Sequence, residues 1–138
     1  MKDTFDVLDD IFSNFVNDLV LPGLMGIVDV SDMEVCDSKF RRNFADSTLV
    51  TPEELNFIDF SYIPSHSETS NFLVNRETLE LNIYSGNIYQ ANMIYKEIHR
   101  IFKDKYSNEL QCTTPCQAGC PIQGIVRYSF RAKGLVGS

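Results

Sequence analysis

Three of the four cysteines stand four residues apart, in Cys112-Thr-Thr-Pro-Cys116-Gln-Ala-Gly-Cys120-Pro. Thiolates this close together are the residue type for a structural metal, with Cys36 or His99 as a candidate fourth ligand. Zinc sites usually pair two closely spaced ligands with a second such pair elsewhere. The C-x3-C-x3-C run has no second pair, and it also misses the usual ferredoxin spacings. Three readings stay open for Cys112, Cys116 and Cys120: a Pro/Gly-rich loop of small reduced thiols, a metal site, or a disulfide. Because the second ligand pair is missing, folding is not expected to depend on these thiols.

Other reactive residue types are sparse. His66 lies in a Ser-rich stretch and His99 beside an apolar stripe; they are the only histidines. A Cys112–His99 pair is the one thiol-catalysis combination, and nothing in the spacing brings the two together. Ser65 and Ser67 beside His66 read as a polar turn. The carboxylates form neither an H-E-x-x-H arrangement nor an EF-hand loop, and no phosphate-loop, dinucleotide or nucleophile-elbow signature occurs. Catalysis needs convergent titratable groups. The expectation is therefore a protein that is not an enzyme and carries no cofactor.

The elements that would position these residues follow from periodicity. Phe5, Leu8, Ile11, Phe12, Phe15, Val16 and Leu19 recur at three- and four-residue steps, which predicts a helix that Pro22-Gly23 stops. Asp3 or Thr4 is the expected cap, and Asp6, Asp9 and Asp10 suit the positive end of its dipole. Residues 24–30 fit a short strand or a further helical turn. Residues 31–55 are polar and turn-like, with Arg41-Arg42 as the one adjacent cation pair of this half.

Three alternating runs predict strands with one wet face: Ile58/Phe60/Tyr62, Leu79/Leu81/Ile83 and Val126/Tyr128/Phe130. Residues 72–77 are expected to extend the second into a hairpin with 57–63. Ile88, Ala91, Ile94, Tyr95, Ile98, Ile101 and Phe102 predict a helix over 87–104, with Asn87 and Gln90 set as a capping box. The order is helix, irregular segment, strands, helix, strand. It predicts one α+β domain over 1–138, a small, largely antiparallel sheet with helices packed on one face.

The chain has 138 residues, 43% of them hydrophobic, enough for a single core. Its net charge of −7 is uneven: residues 1–70 carry 14 acidic and 4 basic side chains, residues 71–138 carry 5 and 8. A general nucleic-acid binder needs a dominant basic face, which this distribution does not provide. Head-to-tail self-association suits it, as does a plain solvated acidic face. No apolar run is long enough for a membrane span, and the acidic first ten residues lack a signal-peptide core, so neither insertion nor secretion is expected.

The stretch Thr78-Leu79-Glu80-Leu81-Asn82-Ile83-Tyr84-Ser85-Gly86-Asn87 runs as a strand into a helix through Phe102, and a late aromatic-rich strand follows. Over roughly residues 56–132 this pattern resembles the small tail-terminator, or tail-completion (head–tail joining), proteins of long-tailed phages. The resemblance implies a structural virion protein, assembled in the host cytoplasm. It would form a homohexameric ring that caps the tail tube and joins it to the neck or head-completion protein. DNA would pass through an acidic lumen as an unbound polymer. The ring contact is then expected to join the acidic surface of residues 1–70 to a basic one carrying Arg76, Lys96 or Arg100. The competing expectation is a small cytosolic metal-binding or adaptor protein built on Cys112, Cys116 and Cys120.

Overall fold

The computed structural model describes residues 4–42, 56–63, 76–106, 110–118 and 124–135. Four helices precede or interrupt the strands: α1 (Thr4–Val16), α2 (Leu21–Leu24), α3 (Met33–Lys39) and α4 (Ile88–Tyr106). The strands are β1 (Phe40–Arg42), β2 (Phe57–Ile63), β3 (Arg76–Ser85), β4 (Leu110–Cys112), β5 (Cys116–Ala118) and β6 (Val126–Leu135). They form one sheet in the order β1-β2-β3-β6-β4, with β5 pairing the same edge of β6 as β4. Every pairing is antiparallel except β1 with β2. This is the α+β class that the sequence predicts.

Register sorts the side chains into two faces. Ile58 opposes Ile83 and Phe60 opposes Leu81. Leu81 opposes Phe130 and Leu79 opposes Ala132. All of these are buried on the face that meets α1 and α4. Phe15 centres the packing, with ring centroids 5.5 Å from Phe40, 5.4 Å from Phe60 and 5.9 Å from Phe102. Ala91, Ile94, Ile98, Ile101 and Phe102 form the buried stripe of α4, as its periodicity requires. The Asn87 side chain accepts from the Gln90 amide at 2.9 Å, so the predicted cap forms. The return half of the box does not, because Gln90 Oε1 accepts from Ser85 Oγ at 3.3 Å.

The first helix is shorter than its apolar stripe. It ends at Val16, and Leu19 is fully exposed. The break comes from Asp18, whose carboxylate accepts from the Val20 and Leu21 amides and starts a new turn. Pro22 is therefore an early residue of α2 and does not act as the stop signal, because its missing N–H costs nothing in the first turn. The helical alternative for residues 24–30 holds only through Leu24, and the turn that follows puts Gly26 at φ +79°.

The segment read as irregular contains α3 and β1. Asp32 caps α3 through the Val35 amide, and Phe40 enters the core one residue after the helix ends. The predicted extension over 72–75 and the cap candidate Asp3 lie outside the described residues.

β4 and β5 are one edge strand interrupted by a bulge. Cys112 opposes Ala132 and Cys116 opposes Ser129. Three residues, Thr113 to Pro115, thus face two on β6. The Thr113 amide donates to the Arg131 carbonyl at 2.7 Å, and Thr113 Oγ1 accepts from the Arg131 amide at 3.0 Å. A proline on an outer strand, at a bulge, is where a missing N–H does least harm.

Candidate functional site

The cysteines foreseen as metal ligands are divided by the sheet. Ala132 and Ser129 are three residues apart on β6 and point to opposite faces, so their partners Cys112 and Cys116 do too. Cys112 sits on the helix side, where burial pushes its thiol up to about 11. Cys116 is exposed on the other side. Cys36 is buried in α3, with its thiol donating to the Val30 carbonyl. Burial, with the nearby Asp32, Asp37 and Asp29 carboxylates, raises its pKa as well. High thiol pKa values oppose both nucleophilic and ligand chemistry. Cys120 and His66 lie outside the described residues, and His99 is exposed on α4, its ring 6.0 Å from that of Tyr95.

The basic residues foreseen for a ring contact fare differently. Arg76 opens β3 opposite Leu135. Lys96 is exposed on α4. Arg100 is engaged inside the chain: its guanidinium donates to both Asp18 carboxylate oxygens, at 2.7 and 2.8 Å, and to Glu97 at 2.8 Å. Asp104 lies 3.6 Å away. Burial opposes ionisation of Asp18, but the Arg100 bonds and the Leu21 and Val20 amides together hold its carboxyl below the ordinary range. Asp18 in turn raises the pKa of Arg100. One acidic-half to basic-half attraction is therefore intramolecular, locking the α1–α2 junction to α4. A cleft of about 270 Å³ lies beside it, lined by Asn17, Leu19 and Lys105 among others.

The adjacent arginines are also committed. Arg42 pairs with Asp9 and, at 3.1 Å, with Asp37, its guanidinium 4.4 Å above the Phe12 ring. Arg41 lies 3.9 Å above the Phe57 ring, and its Nε donates to the Ser38 carbonyl. The Arg41–Phe57 contact fastens β1 to β2, and the Arg42–Phe12 contact fastens it to α1.

The face expected to be wet is buried at its centre. Asp59 and Asn82 are 3% and 4% exposed, and Ser61 is as deep. Asn82 Nδ2 donates to Asp59 Oδ1 at 2.8 Å. Asn82 Oδ1 accepts from Arg127 Nε at 3.1 Å and from Ser129 Oγ. The Phe57 and Tyr84 rings stack beside this network at 4.5 Å. Burial raises the Asp59 carboxyl above its ordinary range, against the pull of Asn82, Tyr84 and Arg127. Alternation revealed these residues but not their burial, since a buried polar face and a wet one share a period of two. Directed bonds thus join Asp59, Asn82, Arg127 and Ser129 across three strands, which suits rigidity.

Unpartnered apolar surface lies elsewhere, near the two sheet edges. Val28, Val30 and Met33 are exposed around the start of α3, which packs on β1 and β2. Tyr89 and Met93 are exposed on α4, which packs on β3, β6 and β4. Tyr89, Met93 and Lys96 follow steps of four and three, so they share one helical stripe. Sequence reading passed over both sets because single exposed apolar residues are ordinary; grouping them required the fold. No family model matches the chain, and no curated protein matches it.

Proposed function

We propose that the chain is a structural ring subunit of the phage tail-terminator or tail-completion kind. It would cap the head-proximal end of a tail tube and join it to the neck protein. The observation that carries the reading is the unit β2-β3-α4-β6. The stretch whose pattern suggested the family forms a hairpin running into a long helix, and the chain then returns as a strand beside β3. Two unlike edges flank this unit, β1 with α3 on one side and the bulged β4–β5 strand on the other. A subunit with unlike edges suits a repeated head-to-tail contact, which closes into a ring when its rotation permits. The acidic half leaves a surface that would repel DNA passing through a lumen.

The metal or adaptor alternative draws no support from Cys112 and Cys116, which face away from each other. The test is binding of purified protein to isolated tail tubes, with particle imaging. Rings at one end of the tube are the expected result. A protein that neither forms rings alone nor binds a tube end contradicts the proposal.

A further inference from the structure

We infer that the two edges carry the two halves of one head-to-tail contact between copies of this chain, an acidic apolar surface around residues 28–33 meeting the Tyr89–Met93–Lys96 stripe of α4. The inference rests on the ring reading and names its contact surfaces.

The first surface is built rather than loose. Asp29 accepts from the Ser31 amide at 3.0 Å and from Ser31 Oγ at 2.7 Å, closing a turn that holds Val28 and Val30 outward. Ile27 is buried beneath, and the Cys36 thiol ties down the Val30 carbonyl. Val28 is fully exposed, and Val30 and Met33 are about half exposed. Keeping such side chains in water on a fixed platform costs free energy that a partner would recover. The charges around them, Asp29, Asp32 and Glu34, are all negative and all exposed.

The second surface sets a cation, Lys96, beside its apolar pair, while the acids of the same helix, Glu97 and Asp104, are engaged by Arg100. Tyr89 is 81% exposed and Met93 52%. Lys96 is next on the stripe, and the exposed Lys103 lies two turns further. Tyrosine and methionine are enriched at the cores of protein contacts. The acidic surface cannot pair with its own copy without setting like charges together, which disfavours a two-fold dimer. Its complement is the α4 stripe of a second copy. Because α3 packs at the β1 end of the sheet and α4 toward the β4 end, each copy offers one surface and keeps the other for the next.

Two surface variants, each checked for native circular dichroism, test this. Val28→Ser/Val30→Ser removes the first surface and Tyr89→Ser/Met93→Ser the second. Self-association is read by sedimentation velocity and native mass spectrometry over a wide concentration range. Wild type is expected to grow beyond a dimer. Each variant alone should associate at least about tenfold more weakly. An equimolar mixture should form a one-to-one heterodimer and stop, since each partner then has one intact surface engaged and one disabled. Variants that assemble like wild type would overturn the surfaces and leave the ring reading standing. Homodimers of one variant, or a mixture without heterodimers, would overturn the head-to-tail pairing. A wild type that stays monomeric would overturn the contact as well, and the tube-end assay then decides the ring reading by itself.

Discussion

The two faces of the central sheet are buried by different chemistry. On the helix face, Ile58, Phe60, Leu81 and Phe130 meet Phe15, Ile94 and Ile98, and exclusion of water from apolar area supplies the stability. On the opposite face, Asp59, Asn82, Arg127 and Ser129 satisfy one another through directed bonds. The first tolerates volume-conserving apolar exchanges but not a change of polarity. The second gains little net energy from each bond, and losing any one partner leaves a buried group without it. The directed bonds of the polar face help hold the sheet in register, while the fold energy comes from the apolar face.

The largest blow falls on the apolar face. Ile98→Asp places an unpaired charge between α4 and the sheet and should cost about 3–5 kcal/mol in chemical denaturation. An unchanged melting transition would contradict the placement of α4. Asn82→Ala opens the polar face, leaving Asp59, Arg127 and Ser129 each short of a partner. It should cost about 2 kcal/mol, and a neutral result would mean that the network contributes nothing to stability.

Acid distinguishes two carboxylates of opposite behaviour. The Asp59 pKa is raised in the fold, so its ionisation weakens the native state as pH climbs from the ordinary carboxylate range through the raised value. Asp59→Asn should flatten that part of the stability profile. The Asp18 pKa is lowered, so its contribution is full above the ordinary value and is lost as pH falls through the lowered one. Asp18→Asn should therefore cost about 1 kcal/mol at neutral pH, through weaker bonds to the Val20 and Leu21 amides and to Arg100, and progressively less in acid. Urea titrations at several pH values read both slopes.

The smallest effect belongs to the exposed stripe. Lys96→Glu should leave the melting temperature unchanged and slow self-association a few-fold at low salt, because exposed charges set encounter rates more than affinity. Stopped-flow light scattering at two salt concentrations measures it.

Legibility in the sequence followed the same division. α4 and the three long strands could be read because their apolar residues repeat at one period against a polar background, and the Asn87 cap was visible in its residue type. α3 and β1 were not, since seven helical residues and three of strand are too short to show a period. The end of α1 was hidden because Leu19 continues the stripe by spacing, while the Asp18 bonds that break the helix depend on local geometry. The cysteines showed their spacing but not the bulge that separates them. Arg100 read as a free basic surface because its partner Asp18 lies 82 residues away in the chain.

Solution mass resolved against particle images is the most direct measurement of the central claim that unlike edges join copies into a closed ring. Native mass spectrometry of the purified chain, repeated with tail tubes and paired with electron-microscope class averages, should give a single closed multimer of defined copy number. It should appear free or seated on one tube end. A monomer at every concentration that also leaves tube ends bare would contradict the claim.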